Sequence, residues 1–134
     1  MDDGERRPRI VVVGPCAAGK TTLVGNLRSQ GYNIKSCAQE HSFAPRLWKE
    51  YSKAEILVFL DAELPTIARR QNRSDWTQAR LDAQRQRLSH ARQHCDFYVH
   101  TDALTQEQVA EVVEAFLHAQ GVEAQAATCE ETGK

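Results

Sequence analysis

The chain carries almost no net charge, no long apolar run and no closely spaced cysteines. Its 17 basic and 18 acidic side chains leave −1 at pH 7, which argues against a generally nucleic-acid-binding or membrane-surface protein. No apolar stretch approaches the ~20 residues that a bilayer span requires. The opening Met1-Asp2-Asp3-Gly4-Glu5-Arg6-Arg7 has no apolar segment of the kind a secretory leader needs. Cys16, Cys37, Cys95 and Cys129 show no C-x-x-C spacing, so free thiols in a reduced, cytoplasmic setting are expected rather than bridges. Internal repeats are absent, and 134 residues suffice for one core but not two.

What is present is concentrated in one stretch. Gly14-Pro15-Cys16-Ala17-Ala18-Gly19-Lys20-Thr21-Thr22 follows the apolar run Ile10-Val11-Val12-Val13 and precedes a helix-forming segment. It fits G-x-x-x-x-G-K-[ST], the phosphate-binding loop, in its required setting between a strand and a helix. The glycines permit a tight path whose N–H groups turn inward on an anion, and the following helix adds the positive end of its dipole. Lys20 is placed to reach β- and γ-phosphates, and the Thr21 hydroxyl to ligate Mg²⁺.

Around this loop the pattern alternates. Residues 1–8 read as a flexible arm, 9–120 as a nucleotide-binding domain and 121–134 as a disordered tail poor in apolar residues. Strands are expected over Arg9–Val13, Tyr32–Cys37, Ile56–Leu60 and Asp96–His100. A helix carries Leu23, Val24 and Leu27 and stops at Gly31. Ser42 is expected to cap a short helix over Phe43–Lys49, and Pro65 to open the helix bearing Arg69, Arg70 and Arg73. Ser74–His94 reads as helical but poorly apolar. Thr105-Gln106-Glu107-Gln108 is a capping box ahead of an amphipathic helix with Val109, Val112, Val113, Phe116 and Leu117 on one side. The alternation predicts an α/β three-layer sandwich with a mainly parallel sheet of four to five strands, of P-loop NTPase type. Ligands in such sheets sit at the carboxyl ends of the strands, here Gly14–Thr22, Cys37–His41, Asp61 and Thr101-Asp102.

Several side chains at those ends can carry chemistry. Asp61 closes an apolar strand, as a metal-binding acid does, although a turn-initiating Asp ahead of Pro65 has the same pattern. Glu40 ends the second strand beside His41, where a substrate-side base or a water-mediated Mg²⁺ contact can sit, or a solvated loop acid. Arg69 and Arg73 share a helical face and Arg87 follows on the next helix, which suits a mobile cover over ATP. Arg70, Arg80 and Arg92 read as a soluble basic surface. Cys16, inside the loop, makes oxidation a candidate block on phosphate binding.

Taken together, the loop, Ile56-Leu57-Val58-Phe59-Leu60-Asp61-Ala62, Arg69 with Arg73, Arg87-Leu88 and Asp96-Phe97-Tyr98-Val99-His100-Thr101-Asp102 resemble the small P-loop kinases of the adenylate, shikimate and gluconate kinase kind. The resemblance spans most of residues 9–119. It implies that Arg69 packs on adenine or reaches phosphate, that Arg73 and Arg87 are lid cations, and that Asp102 lies beside the base. In that family the acid at the end of this strand is usually not the main metal ligand. The chain also departs from the family. Only 34 residues separate Thr21 from Ile56, too few for an acceptor-binding insertion plus another strand. Gln39-Glu40-His41 stands where Asp-x-Asp is usual, and little remains of a lid between Arg73 and Trp76.

The pattern argues against a GTPase, since Asp61-Ala62-Glu63-Leu64 lacks the switch glycine and His100-Thr101-Asp102 is not the guanine-reading sequence. Two readings remain. One is an ATP- and Mg²⁺-dependent kinase of a small acceptor, with Lys20, Glu40 and Arg73 as catalytic residues and Thr21, Glu40 and Asp61 as metal candidates. The other is a catalytically weak nucleotide-binding adaptor. It leaves room for a protein partner or a homodimer, with the arginine-rich helix Trp76–His94 as the recognition surface. Neither implies a nucleic acid or a membrane.

Overall fold

The four apolar strand cores assemble, in a computed structural model of the chain, into one all-parallel sheet in the order β2-β1-β3-β4. The structure describes residues 8–72 and 75–122. Along the chain run β1 (Ile10–Val13), α1 (Lys20–Ser29), β2 (Ile34–Ser36), a 3-10 turn (Gln39–His41), α2 (Leu47–Glu50) and β3 (Ile56–Asp61). They are followed by α3 (Leu64–Gln71), α4 (Gln78–Arg87), α5 (Ser89–His94), β4 (Phe97–His100) and α6 (Gln106–Ala119). In register, Ile10 lies beside both Ile34 and Ile56, and Val58 beside Phe97.

The strands show no apolar–polar alternation because both faces of the sheet are covered. Ile10, Val12, Val58, Leu60 and Val99 pack on one side against Leu23 and Leu27 of α1, Ile67 of α3 and Val113 and Leu117 of α6. Val11, Val13, Leu57 and Phe59 pack on the other against Trp48, Leu88 and Ala91. The result is α/β, as expected, and compatible with three layers.

Connectivity fixes where a cleft must form. The chain leaves β1 through α1 to β2 on one side, then crosses to β3 and β4 on the other. The carboxyl end of β1 is therefore the point where the winding reverses. Connections diverge there and leave a crevice, and residues 14–19 occupy it.

Local differences from expectation have local causes. The second strand shortens to Ile34–Ser36, and Tyr32 instead buries its ring and sends its hydroxyl to Glu114 at 2.9 Å. Ser42 caps no helix; its hydroxyl accepts from the Ala44 N–H at 3.0 Å. Helix begins only at Leu47, because Pro45 disfavours helical backbone at Ala44 before it. The arginine-rich helix divides at Leu88, which is fully buried at the junction of α4 and α5. Pro65 falls in the first turn of α3, and Thr105 and Gln108 form the capping box of α6. Of the tail expected to be disordered, Val122 is buried and donates its N–H to Leu117; residues 123–134 lie outside the described residues, as do residues 1–7 of the arm.

Candidate functional site

The loop leaving β1 is held against β3. A Cβ on Gly14 would stand 2.0 Å from the Leu60 carbonyl oxygen, so this approach admits no side chain. Ala18 N–H closes the turn on Pro15 O at 3.2 Å. Gly19, at φ 109°, turns the chain into α1 as its N-cap, and no side chain caps the helix. The first-turn N–H groups of Lys20, Thr21 and Thr22 have no intrahelical acceptor. They border a cavity of about 640 Å³ lined also by Cys16, Glu40 and Arg70. Unsatisfied amides and the positive end of a ten-residue helix make this an anion-binding geometry.

Lys20 is folded back over the loop. Its Nζ donates to Gly14 O at 2.7 Å, Pro15 O at 3.1 Å and Glu40 Oε2 at 3.0 Å. The Lys20 and Glu40 side chains are only 11% and 6% exposed. Glu40 owes its position to Gln39, which is fully buried. Gln39 accepts from the Trp48 N–H at 3.0 Å and donates to Ala44 O at 2.7 Å, which locks the 3-10 turn under α2. Glu40 Oε1 is buried and has no hydrogen-bond partner among the described residues. Burying such an oxygen without a partner is costly.

On the other side of the loop, Gln84 of α4 grips Cys16, accepting from its N–H at 3.0 Å and donating to its Sγ at 3.3 Å. His41 Nε2 lies 3.4 Å from the same Sγ and 3.6 Å from Glu40 Oε2. Arg70 of α3 donates to Ala17 O at 2.9 Å and to both the hydroxyl and the carbonyl of Thr101. Burial, and then the neighbouring Arg69, pull its guanidinium below the ordinary arginine range.

A second cavity, of about 320 Å³, adjoins the first through Gly19, Thr22, Arg70 and Gln106. Arg69 and Asp102 both line it. Asp102 accepts from the Glu63 N–H at 2.9 Å. Burial opposes its charge, but that bond and the Thr66 hydroxyl hold its carboxyl below the usual carboxylate range.

Asp61 sits elsewhere. It accepts from Arg85 Nη2 at 3.1 Å, from the Tyr98 hydroxyl at 2.7 Å and from the Ala62 N–H at 2.9 Å, and it faces a different cavity with Phe59 and Arg92. Burial works against the Arg85 charge, yet Asp61 and Glu63 hold it above its ordinary range. Burial and the bond to Asp61 push Tyr98 up to about 12. The unfolded chain ionises this phenol near its ordinary value of 10, so its contribution to stability is whole below pH ~10 and is lost as pH rises toward ~12. Urea denaturation across that window should show a steeper loss for the native chain than for Tyr98→Phe; parallel profiles would remove Tyr98 from the account.

The structure thus brings Lys20, Thr21, Thr22, Cys16 and Glu40 to one cleft and Arg69 and Asp102 to the next. It does not bring Asp61 there. Arg87 lines neither cavity: its guanidinium braces the 3-10 turn from behind, donating to Glu40 O at 3.2 Å and covering the Phe43 ring at 4.6 Å. Arg73 lies outside the described residues. Sequence reasoning missed Arg70 and Gln84. The i,i+4 spacing of Arg69 and Arg73 drew attention to one edge of α3, whereas Arg70 projects from the edge that meets the loop. Gln84 lies among arginines in a segment with little apolar signal, and only tertiary packing picks it out. The three described cysteines are free. Among the described residues no helix is long and apolar enough to cross a membrane.

No protein-family model matches the chain, and no curated protein matches it in sequence.

Proposed function

We propose that this is an ATP-binding protein of P-loop type that transfers a phosphoryl group, with Mg²⁺, to a small acceptor, as the small P-loop kinases it resembles do. The observation that carries the reading is the juxtaposition of Lys20, the open amides of α1 and the orphaned Glu40 oxygen in a cavity continuous with one holding Arg69 and Asp102. One cavity suits phosphates and the other a base. Arg69 has the flat cation that stacks on a purine, and Asp102 an acceptor beside it.

Within this reading the residues divide the work by chemistry. The loop amides hold phosphate oxygens, and Lys20 exchanges its carbonyl and Glu40 partners for them. Thr21 and Glu40 are the residues that would hold Mg²⁺, which, when bound, offsets negative charge on the phosphates. Glu40 Oε1 fits that role, or the role of accepting the acceptor's proton, because it has no other partner. Asp61, committed to Arg85 and Tyr98, is left out. Asp61→Asn should cost about 1–2 kcal/mol of stability by urea denaturation while ATP affinity stays within about twofold; an affinity loss of roughly tenfold (~1.4 kcal/mol) would return Asp61 to the metal set. Arg73 keeps its place as a candidate lid cation by sequence alone.

A nucleotide-binding adaptor is the second reading, favoured by Phe43 and Tyr51, which are 85% and 77% exposed beside α2. The arginines of α4 do not serve it: Arg85 is paired with Asp61 and Glu63, Arg87 is bonded to Glu40 O, and Arg80 covers Trp76. A panel of nucleoside, sugar and acid acceptors, scored for ADP release with ATP and Mg²⁺, separates the two. Acceptor-dependent ADP release supports the kinase; tight ATP binding with no acceptor dependence supports the adaptor.

A further inference from the structure

The cleft holds a second constellation, which shares Glu40 with the proposed phosphate site and adds the Cys16 thiol and the His41 imidazole. Cys16 Sγ, a Glu40 carboxylate oxygen and a His41 ring nitrogen all lie within 4.8 Å of one another. They come from two separate elements, the loop after β1 and the 3-10 turn after β2. We propose that these three side chains form a binding site for a borderline-soft divalent cation, Zn²⁺ in the first instance, with its fourth position open to the cleft.

Geometry supports this first. A tetrahedral centre with metal–sulfur and metal–nitrogen bonds of ~2.3 and ~2.0 Å places those ligand atoms about 3.5 Å apart, and nitrogen and oxygen about 3.3 Å apart. The observed separations are 3.4 Å for Cys16 to His41 and 3.6 Å for His41 to Glu40. Two edges of the tetrahedron are already laid out. Chemistry supports it next: thiolate and imidazole beside a single carboxylate favour Zn²⁺ over Mg²⁺ or Ca²⁺, which take oxygen sets.

Two further observations are independent of the cluster's spacing. Glu40 Oε1 is buried and has no hydrogen-bond partner among the described residues. With Oε2 on Lys20, rotation of the carboxylate offers one oxygen to the cation and leaves the other on the lysine. Gln84 Nε2 donates to Cys16 Sγ at 3.3 Å, the outer contact that orients a thiolate ligand and spreads its charge. His41 is more than half exposed, so the cation has an entry path. On binding, Cys16 gives its thiol proton to solvent, and His41 ligates as the neutral imidazole. The site does not rest on the ATP reading, and it stands or falls without any nucleotide.

Co²⁺ titrated into the full chain, without nucleotide, reads the site directly through the thiolate-to-cobalt charge-transfer band. The expected result is a band saturating at one equivalent, displaced by stoichiometric Zn²⁺ and unchanged by millimolar Mg²⁺. It should be absent in Cys16→Ser, weakened at least tenfold in affinity in His41→Ala, and retained in the Cys95→Ser/Cys129→Ser double variant. The His41 side chain is more than half exposed, so its variant reports on ligation even if Cys16→Ser disturbs the loop; circular dichroism checks each fold. No band in the native chain, a band that survives Cys16→Ser, or an affinity untouched by His41→Ala overturns the site.

Discussion

On the kinase reading proposed above, replacing Lys20 with alanine should lower ATP turnover by about 10²–10³-fold, the loss expected when one preorganised charge on the transferring group is removed. The effect has a structural shadow that must be separated from it. Lys20 is the cation on buried Glu40, and deleting one partner of a buried pair leaves the other uncompensated. Lys20→Ala should therefore also lower stability, and Lys20→Ala/Glu40→Gln should recover much of that stability without recovering turnover. Steady-state ADP release and urea denaturation on the same three proteins check both halves. Turnover that returns with stability would make Lys20 a structural residue and remove it from the chemistry.

Gly14→Ala should destabilise the fold by about 3 kcal/mol, combining a backbone clash with an unfavourable φ. The obstacle is the Leu60 carbonyl, a backbone atom in the sheet that cannot step aside. Gly25 is the matched control. It lies in α1 with nothing within 4 Å of its would-be Cβ, so Gly25→Ala should stabilise by about 0.5–1 kcal/mol. Opposite shifts in the urea midpoint are the expected outcome. Equal shifts would mean that the loop does not press on β3 as described.

These two glycines show what was legible in the sequence. The strand–loop–helix at Ile10–Ser29 announces itself through β-branched residues, fixed glycines and helical spacing; the strand starts one residue later than expected, and Gly31, at φ 103°, lies just beyond the end of α1. The parallel sheet follows from alternation of strand and helix, and Pro65 and Thr105 mark helix starts by their backbone chemistry. Segments poor in apolar residues were less legible. The stretch 38–55 is pinned by the buried Trp48 ring on the sheet and by the Gln39 amide bonding to Trp48 and Ala44, and hydropathy carries no trace of the second.

The site divides the same way. Lys20, Thr21 and Glu40 are adjacent because the loop and the end of β2 flank the point where the winding reverses, a consequence of topology that the order of elements predicts. Which arginine meets the loop depends on the rotation of α3 by a single residue, and so Arg70 rather than Arg69 touches its backbone. Asp61 looks like a metal acid from its strand alone. Its partners Arg85 and Tyr98 arrive from α4 and β4, long-range contacts that a local pattern cannot report.

Calorimetric titration of the full native chain with ATP in the presence of Mg²⁺ tests the central claim most directly. The account predicts saturable one-to-one binding with Kd in the micromolar to sub-millimolar range common for nucleotide-using enzymes, lost on Lys20→Ala. Absence of saturable heat in the native chain, or equal binding by Lys20→Ala, would contradict it.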